Sequence, residues 1–248
     1  MKCLCSSRML VFLFPESVLM RFFSFAVLSV ILQLTIAGAA PVCAQEALLP
    51  ATPKRSTIWG ERIDLALLQA ARNPALQSVL YGTVPSAAAA PADWKYEFAA
   101  TDFTPVAVRD VPERLAGNLS DPVKRDTALR FGRDILAGVE SSLEFRRNNL
   151  AYAMALSITA CLRLTELREF SVDEEARVLR IVNDALASSP AFRESTSAER
   201  TLAYDAFIVT AGMISRMGDD AIADHDRELA SNARILAQET LASFGRRK

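Results

Sequence analysis

The sequence predicts an all-α protein: a compact bundle of about five long helices around a nearly apolar central one, behind a signal peptide and an Ala/Pro-rich linker. Three observations predict it. No charge occurs between Arg147 and Arg163, and Leu150, Met154, Ile158, Cys161 and Leu162 recur at helical spacing within that run. Two capping boxes, Ser171-Val172-Asp173-Glu174 and Thr196-Ser197-Ala198-Glu199, open the apolar stretches that follow. A period-two segment, Trp94-Lys95-Tyr96-Glu97-Phe98, stands alone, and a single strand without a partner does not make a sheet.

The first 44 residues read as a leader. Arg21 supplies its positive start, Phe22 to Ile36 its apolar core, and Ala37 to Ala44 a small-residue end. Val42-Cys43-Ala44 before Gln45 predicts cleavage between Ala44 and Gln45, with Ala39 or Ala40 as the alternative. Met1 to Leu19 carries a second apolar burst ended by Pro15-Glu16, which points to Met20 as the true start. The residues before Cys43 lack the leucine and the small residue of a lipidation site. Removing residues 1–44 takes away Lys2, Arg8 and Arg21 but only Glu16, so the remaining chain is two charges more negative than the whole. An acidic balance with no basic block argues against nucleic acid as a partner. Of four cysteines only Cys161 lies beyond the leader, so the processed chain has no disulfide framework. The expected place is periplasmic or secreted, with the membrane touched only through an uncleaved leader.

Residues 45–102 form an N-terminal helical segment, a linker and an aromatic arm. Trp59 to Ala71 is helical in pattern, with Ile63, Leu67 and Ala70 on one side and Leu65 and Leu68 broadening it. Asn73-Pro74 breaks it, and Ala75 to Tyr81 makes a further turn or two before Gly82. Pro85 to Pro91 is low-complexity linker. Trp94, Tyr96 and Phe98 follow, as an arm whose rings lie on the bundle or as a strip that binds a partner.

Residues 103–248 form the bundle. Val106 to Leu115 has a helical stretch limited by Pro112. Asp121-Pro122 places a cap before a first-turn proline, and Val123, Ala128, Phe131, Ile135, Val139 and Leu143 make the stripe expected to be buried. Asn148 or Asn149 caps the central helix. That helix is shorter than the ~20 residues a membrane span needs, and an all-round apolar helix of that length belongs inside protein. The next helix buries Val178 or Leu179, Val182 and Leu186 and ends near Ser188-Ser189-Pro190. A helix carrying Leu202, Phe207, Ile208, Met213 and Ile214 is expected to stop at Gly218. Asp219-Asp220 would start the last helix, with Ala221, Ile222, Leu229, Ala233, Leu236 and Leu241 inside.

From Phe103 onward the chain carries Phe103-Thr104-Pro105, the start Asn148-Asn149-Leu150-Ala151-Tyr152-Ala153, a penultimate apolar helix and a final Ala/Leu helix. In these features it resembles a family of short exported bacterial proteins, domain of unknown function 6683. Members often carry a tryptophan where this chain has Ala160-Cys161-Leu162. The resemblance implies export and an all-helical fold, and it brings no activity, cofactor or catalytic residue.

His225 is the only histidine, so one residue would have to serve as every base in a serine or cysteine triad. Asp220, Asp224 and Glu228 share a helical ridge, but His225 points away from it, and acids near a helix start are favoured by its dipole without any metal. No Gly-rich phosphate loop occurs. The sequence therefore assigns no cofactor, metal or catalytic residue. Two binding readings remain. In the first, a non-enzymatic exported protein meets an unknown partner through Trp94, Tyr96 and Phe98 or a bundle groove. In the second, a small-ligand carrier or enzyme lines a polar pocket with Arg147, Tyr152, Tyr204 and Asp205.

Overall fold

A computed structural model describes residues 61–86, 94–117 and 120–245. The leader, its cleavage point at Ala44–Gln45, Met20, most of the linker and the last three basic residues lie outside the described residues. The described chain is helical. α1 is Glu61–Ala70, α2 Pro74–Leu80, α3 Val111–Gly117, α4 Pro122–Ser141, α5 Leu150–Glu166, α6 Val172–Ala187, α7 Pro190–Glu194, α8 Ser197–Ala223 and α9 Arg227–Ser243. No described helix is long and apolar enough to cross a membrane.

The caps say why these segments start where they do. The Asn73 side chain accepts from the Ala75 and Leu76 N–H groups, and the Asp121 side chain accepts from Val123 and Lys124. Both sit before a proline at the first helical position, where the missing N–H costs nothing. Asn149, not Asn148, caps α5 by accepting from Tyr152 N–H at 3.1 Å. Asn148 precedes it in the left-handed region at φ 55°, a conformation that asparagine tolerates better than most residues. Both capping boxes form at α6 and α8.

α5 is the axis of the body. Leu150, Met154, Ile158, Cys161 and Leu162 are fully buried, and on the far side Ala151, Ala153 and Ala160 are buried as well. It is enclosed by α6, α8 and α9. α6 runs antiparallel to it: Asn149 and Asn183 share Thr101 at one end, and Arg163 meets Glu175 at 2.5 Å towards the other. α8 runs parallel to it, with Tyr204 beside Asn148 near the start and Leu164 against Gly218 near the end. The return passage through α6 and α7 makes that parallel pairing possible. α9 folds back on α8, where Phe207 and Phe244 stack edge to face with centroids 5.2 Å apart. α1 and α2 belong to the same core through Ile63, Leu67, Leu76 and Leu80.

Several expectations change. Gly218 does not stop its helix; α8 continues to Ala223 because a bare Cα there lets Leu164 pack against the backbone. The break comes at Asp224 and at His225, which turns left-handed, and Asp226 caps α9. Ile222 therefore ends α8 as an exposed residue instead of lining α9. On α4 the buried positions are Gly132 and Leu136, with Ile135 and Val139 half-buried; Val123 and Leu143 are exposed. α4 is an outer helix whose middle alone lies on α3 and α8, and Leu143 falls past its end. Leu65 and Leu68 are about half exposed, so α1 buries only the Ile63, Ala66, Leu67 and Ala70 side. The aromatic arm is a bend followed by a 3-10 turn at Phe98–Thr101, and no strand forms among the described residues.

Candidate functional site

The arm is fixed to the bundle by a buried polar knot. Asp184 of α6 accepts from the backbone N–H groups of Lys95 and Tyr96 at 3.0 and 3.1 Å. Asn183 beside it donates to the carbonyls of Tyr96 and Glu97, and Asn149 donates to the carbonyl of Phe98 and to Asp102. The Thr101 hydroxyl lies 2.8 Å from Asn183 Oδ1 and 3.1 Å from Asn149 Oδ1. One hydroxyl proton serves one acceptor, and Asn149 Oδ1 already receives the Tyr152 N–H, so the shorter contact to Asn183 takes it. Thr101, Asn149 and Asn183 are fully buried, which makes this knot costly to leave unpaired. Arg146 pairs with Asp102 at its outer edge and holds that carboxyl below the usual range.

Trp94, Tyr96 and Phe98 are each half-buried. Trp94 packs against the core, Lys95 Nζ lies 5.2 Å from the Tyr96 ring centre, and Phe98 meets Tyr152 edge to face at 5.5 Å. The row continues. Tyr152 meets Phe145 at 5.9 Å, Phe145 meets Tyr204 at 6.2 Å, and Tyr204 meets Phe103 at 5.4 Å. Arg180 of α6 caps one end, its guanidinium 3.9 Å from the Phe98 ring centre. Arg109 caps the other, 5.7 Å from the Tyr204 ring centre.

Of the four residues expected to line a polar pocket, Arg147, Tyr204 and Asp205 come to this second end, joined through residues the sequence did not single out, while Tyr152 lies nearer the Phe98 end. Asp205 is buried, its carboxylate 1% exposed, and both its oxygens accept from Arg109. Arg109 Nη1 also donates to Glu140 at 2.9 Å, and Arg147 Nε donates to the Glu140 carbonyl. Burial opposes the charge on Arg109, but Asp205 and Glu140 outweigh it and raise its pKa. Burial pushes Asp205 up too; Arg109 opposes this, and Glu140 and Asp110 add like charge. Two carboxylates thus share one guanidinium in a low-dielectric setting. Tyr204 is buried; its hydroxyl makes no hydrogen bond, although Glu140 and the Asn148 backbone lie close enough to act on it. Burial drives the phenol further from ionising.

Tyr152 is half-buried and Arg147 exposed, so these two stand at the rim while Tyr204 and Asp205 lie inside. Arg109 and Glu140 left no local signal, since each is an ordinary charge far along the chain from its partner. Asn183 did leave one: an amide inside the apolar run Ile181-Val182-Asn183-Asp184-Ala185-Leu186. The Asp220–Asp224–Glu228 ridge is broken by the turn at His225, and no group of three or more metal-ligating side chains is assembled among the described residues. Cys161 is buried, which pushes its thiol up to about 12 and makes it a packing residue, not a nucleophile.

No curated protein and no solved structure matches the chain significantly. The family match covers residues 69–247, from the last residues of α1 past the end of α9, so it includes the arm, the aromatic row and the Arg109 cluster. The chain belongs to that family, described as a family of unknown function, DUF6683.

Proposed function

We propose that this chain is an exported, non-enzymatic binding protein of the periplasm or the medium, and that it meets its partner on the aromatic row. One observation carries the reading. Phe98, on an arm that four buried or half-buried polar side chains (Thr101, Asn149, Asn183 and Asp184) hold in place, meets Tyr152 of α5 edge to face, and Tyr152 meets Phe145 in the same way, all three rings being half-buried. Rigid rings lose little conformational freedom on association, which is why such residues dominate binding surfaces. The leader composition supports export. Asp205 speaks against acid–base chemistry, because Arg109 consumes both of its oxygens.

The test has two arms. Expression of the full chain with its own leader, fractionation and N-terminal sequencing should find the protein outside the cytoplasm, starting at Gln45. A photo-crosslinking residue placed at Tyr152 should trap a defined partner in intact cells, and Phe145→Ala should reduce that yield several-fold. A cytoplasmic protein, or crosslinking indifferent to Phe145, would remove this reading. A small-ligand carrier remains the second reading, favoured by the unpaired Tyr204 hydroxyl. Its sign would be a compound retained through purification and lost in Tyr204→Phe.

A further inference from the structure

One guanidinium site on this protein is filled by the protein itself. The Arg109 side chain reaches between Asp205 of α8 and Glu140 of α4. Its Nε donates to the two Asp205 oxygens at 3.0 and 2.9 Å, Nη2 donates to the same carboxylate, and Nη1 donates to Glu140 at 2.9 and 3.1 Å. The guanidinium carbon stands over the Tyr204 ring, 5.7 Å from its centre. Carboxylates in reach of the fork and an aromatic face make a receptor for this planar cation. The receptor is built on long helices, but its occupant is not. From Phe103 to Asp110 the chain has neither helix nor strand, and Thr104, Pro105, Ala107 and Val108 are exposed. This strap is tied down by the Phe103 N–H on the Asn148 carbonyl at 2.9 Å and the Val106 N–H on the Thr201 hydroxyl at 3.0 Å. The Arg109 side chain is 29% exposed, so its site opens to water.

Charge and hydrogen bonding say what fits in its place. Without Arg109, the Asp205 and Glu140 carboxylates have one cation beside them, the exposed Arg147, whose Nε donates to the Glu140 carbonyl. Asp110 and Arg114 pair with each other at 2.8 Å and cancel. The emptied site is therefore one positive charge short. The Tyr204 hydroxyl, on a residue 1% exposed, has no hydrogen-bond partner, because the Arg109 fork is committed to the two carboxylates. An N–H donor entering from solvent would find that acceptor unused.

We infer that the Asp205–Glu140–Tyr204 site receives an arginine side chain of a partner polypeptide, and that Arg109 holds the place until the strap lifts. The inference deepens the binding-protein reading and rests on it, since Phe145 joins Tyr204 to the rest of the aromatic row at 6.2 Å. An incoming arginine competes with one already seated, so the closed strap lowers the affinity of the wild type. Lysine carries the charge without the fork, which makes it the weaker occupant, whether in the strap or in the partner.

The full processed chain would be titrated by calorimetry with capped glycyl-arginyl-glycine, its lysyl counterpart and free arginine. Arg109→Lys should bind the arginyl peptide about tenfold more tightly than wild type, and the lysyl peptide about fivefold more weakly than the arginyl one. Asp205→Asn in the Arg109→Lys background should lose that gain, and circular dichroism should show these variants folded. Arg109→Ala should recover part of its lost melting temperature in millimolar methylguanidinium chloride but not in methylammonium chloride. Equal affinity of wild type and Arg109→Lys, equal binding of the two peptides, free arginine bound more tightly than the peptide, or equal rescue by both cations would each overturn the proposal. Crosslinking at Tyr152 should rise in Arg109→Lys; a yield that stays the same would leave the binding-protein reading standing while this one fails.

Discussion

Asp205 shows what one residue does in this molecule. It sits in an otherwise apolar turn of α8, between Tyr204 and Ala206, and Arg109 reaches across from the segment before α3 to both of its oxygens. Such a pair contributes little net stability, but half of it is expensive. Asp205→Ala leaves Arg109 with Glu140 alone and should lower the unfolding free energy by about 2–3 kcal/mol in urea titration. Replacing both partners, Arg109→Met with Asp205→Leu, should restore most of that loss. A single variant as stable as wild type would show that Arg109 swings out to water and that the pair holds nothing.

At the scale of an element, the capping box of α6 links sequence, local structure and acid sensitivity. The Ser171 backbone N–H and hydroxyl donate to Glu174, and Arg168 donates to the same carboxylate at 2.9 Å. Those donors hold Glu174 at about 2, against an ordinary glutamate value of 4.5. A carboxyl depressed in the folded state stabilises above its unfolded pKa, and that contribution disappears as the pH falls through its folded one. Glu174→Ala should therefore cost about 1 kcal/mol at pH 7 and almost nothing well below pH 2, with the two melting curves drawing together as the pH falls from about 4.5 through 2. A constant gap at every pH would mean that the helix loses packing instead of a cap. This box was legible because all its parts lie within four residues. The same holds for the cap at Asn149, for Asp121-Pro122 and for the uncharged run of α5. The end of α8 was not legible, since Gly218 reads as a stop until Leu164, from a helix far back in the chain, is seen lying on it. The outer stripe of α4 misled for the same kind of reason: periodicity shows which side is apolar, not how much of it a neighbour covers.

Across the whole molecule, tight seams at small residues set how closely the helices approach. Gly212 of α8 faces Ile135 of α4, and a Cβ added there would stand 2.6 Å from the Ile135 Cγ2. Isoleucine in a helix has one strongly preferred χ1, so it cannot swing aside cheaply. Alanine is the better helix former by about 1 kcal/mol, yet the overlap should outweigh that gain. Gly212→Ala should thus destabilise by about 1 kcal/mol, and in the Ile135→Ala background the same change should become neutral or stabilising. Thermal unfolding of the four proteins measures that coupling directly, and additive effects would show that the seam is slack. The candidate site was legible in its aromatics and in Tyr204-Asp205, but not in Arg109, Glu140 or Arg180, whose roles exist only once distant helices meet.

The parallel course of α5 and α8 has a consequence for the order in which the chain can fold. A chain made from its N-terminus carries α5 out well before α8 and α9. Until then the most apolar helix has only the earlier elements and α6 to rest on, and Phe244, buried against Phe207, arrives only after α9. Sequence-distant contacts of this kind slow folding and leave sticky surface bare meanwhile. A nascent copy stalled before α8 is therefore the form most in need of a chaperone.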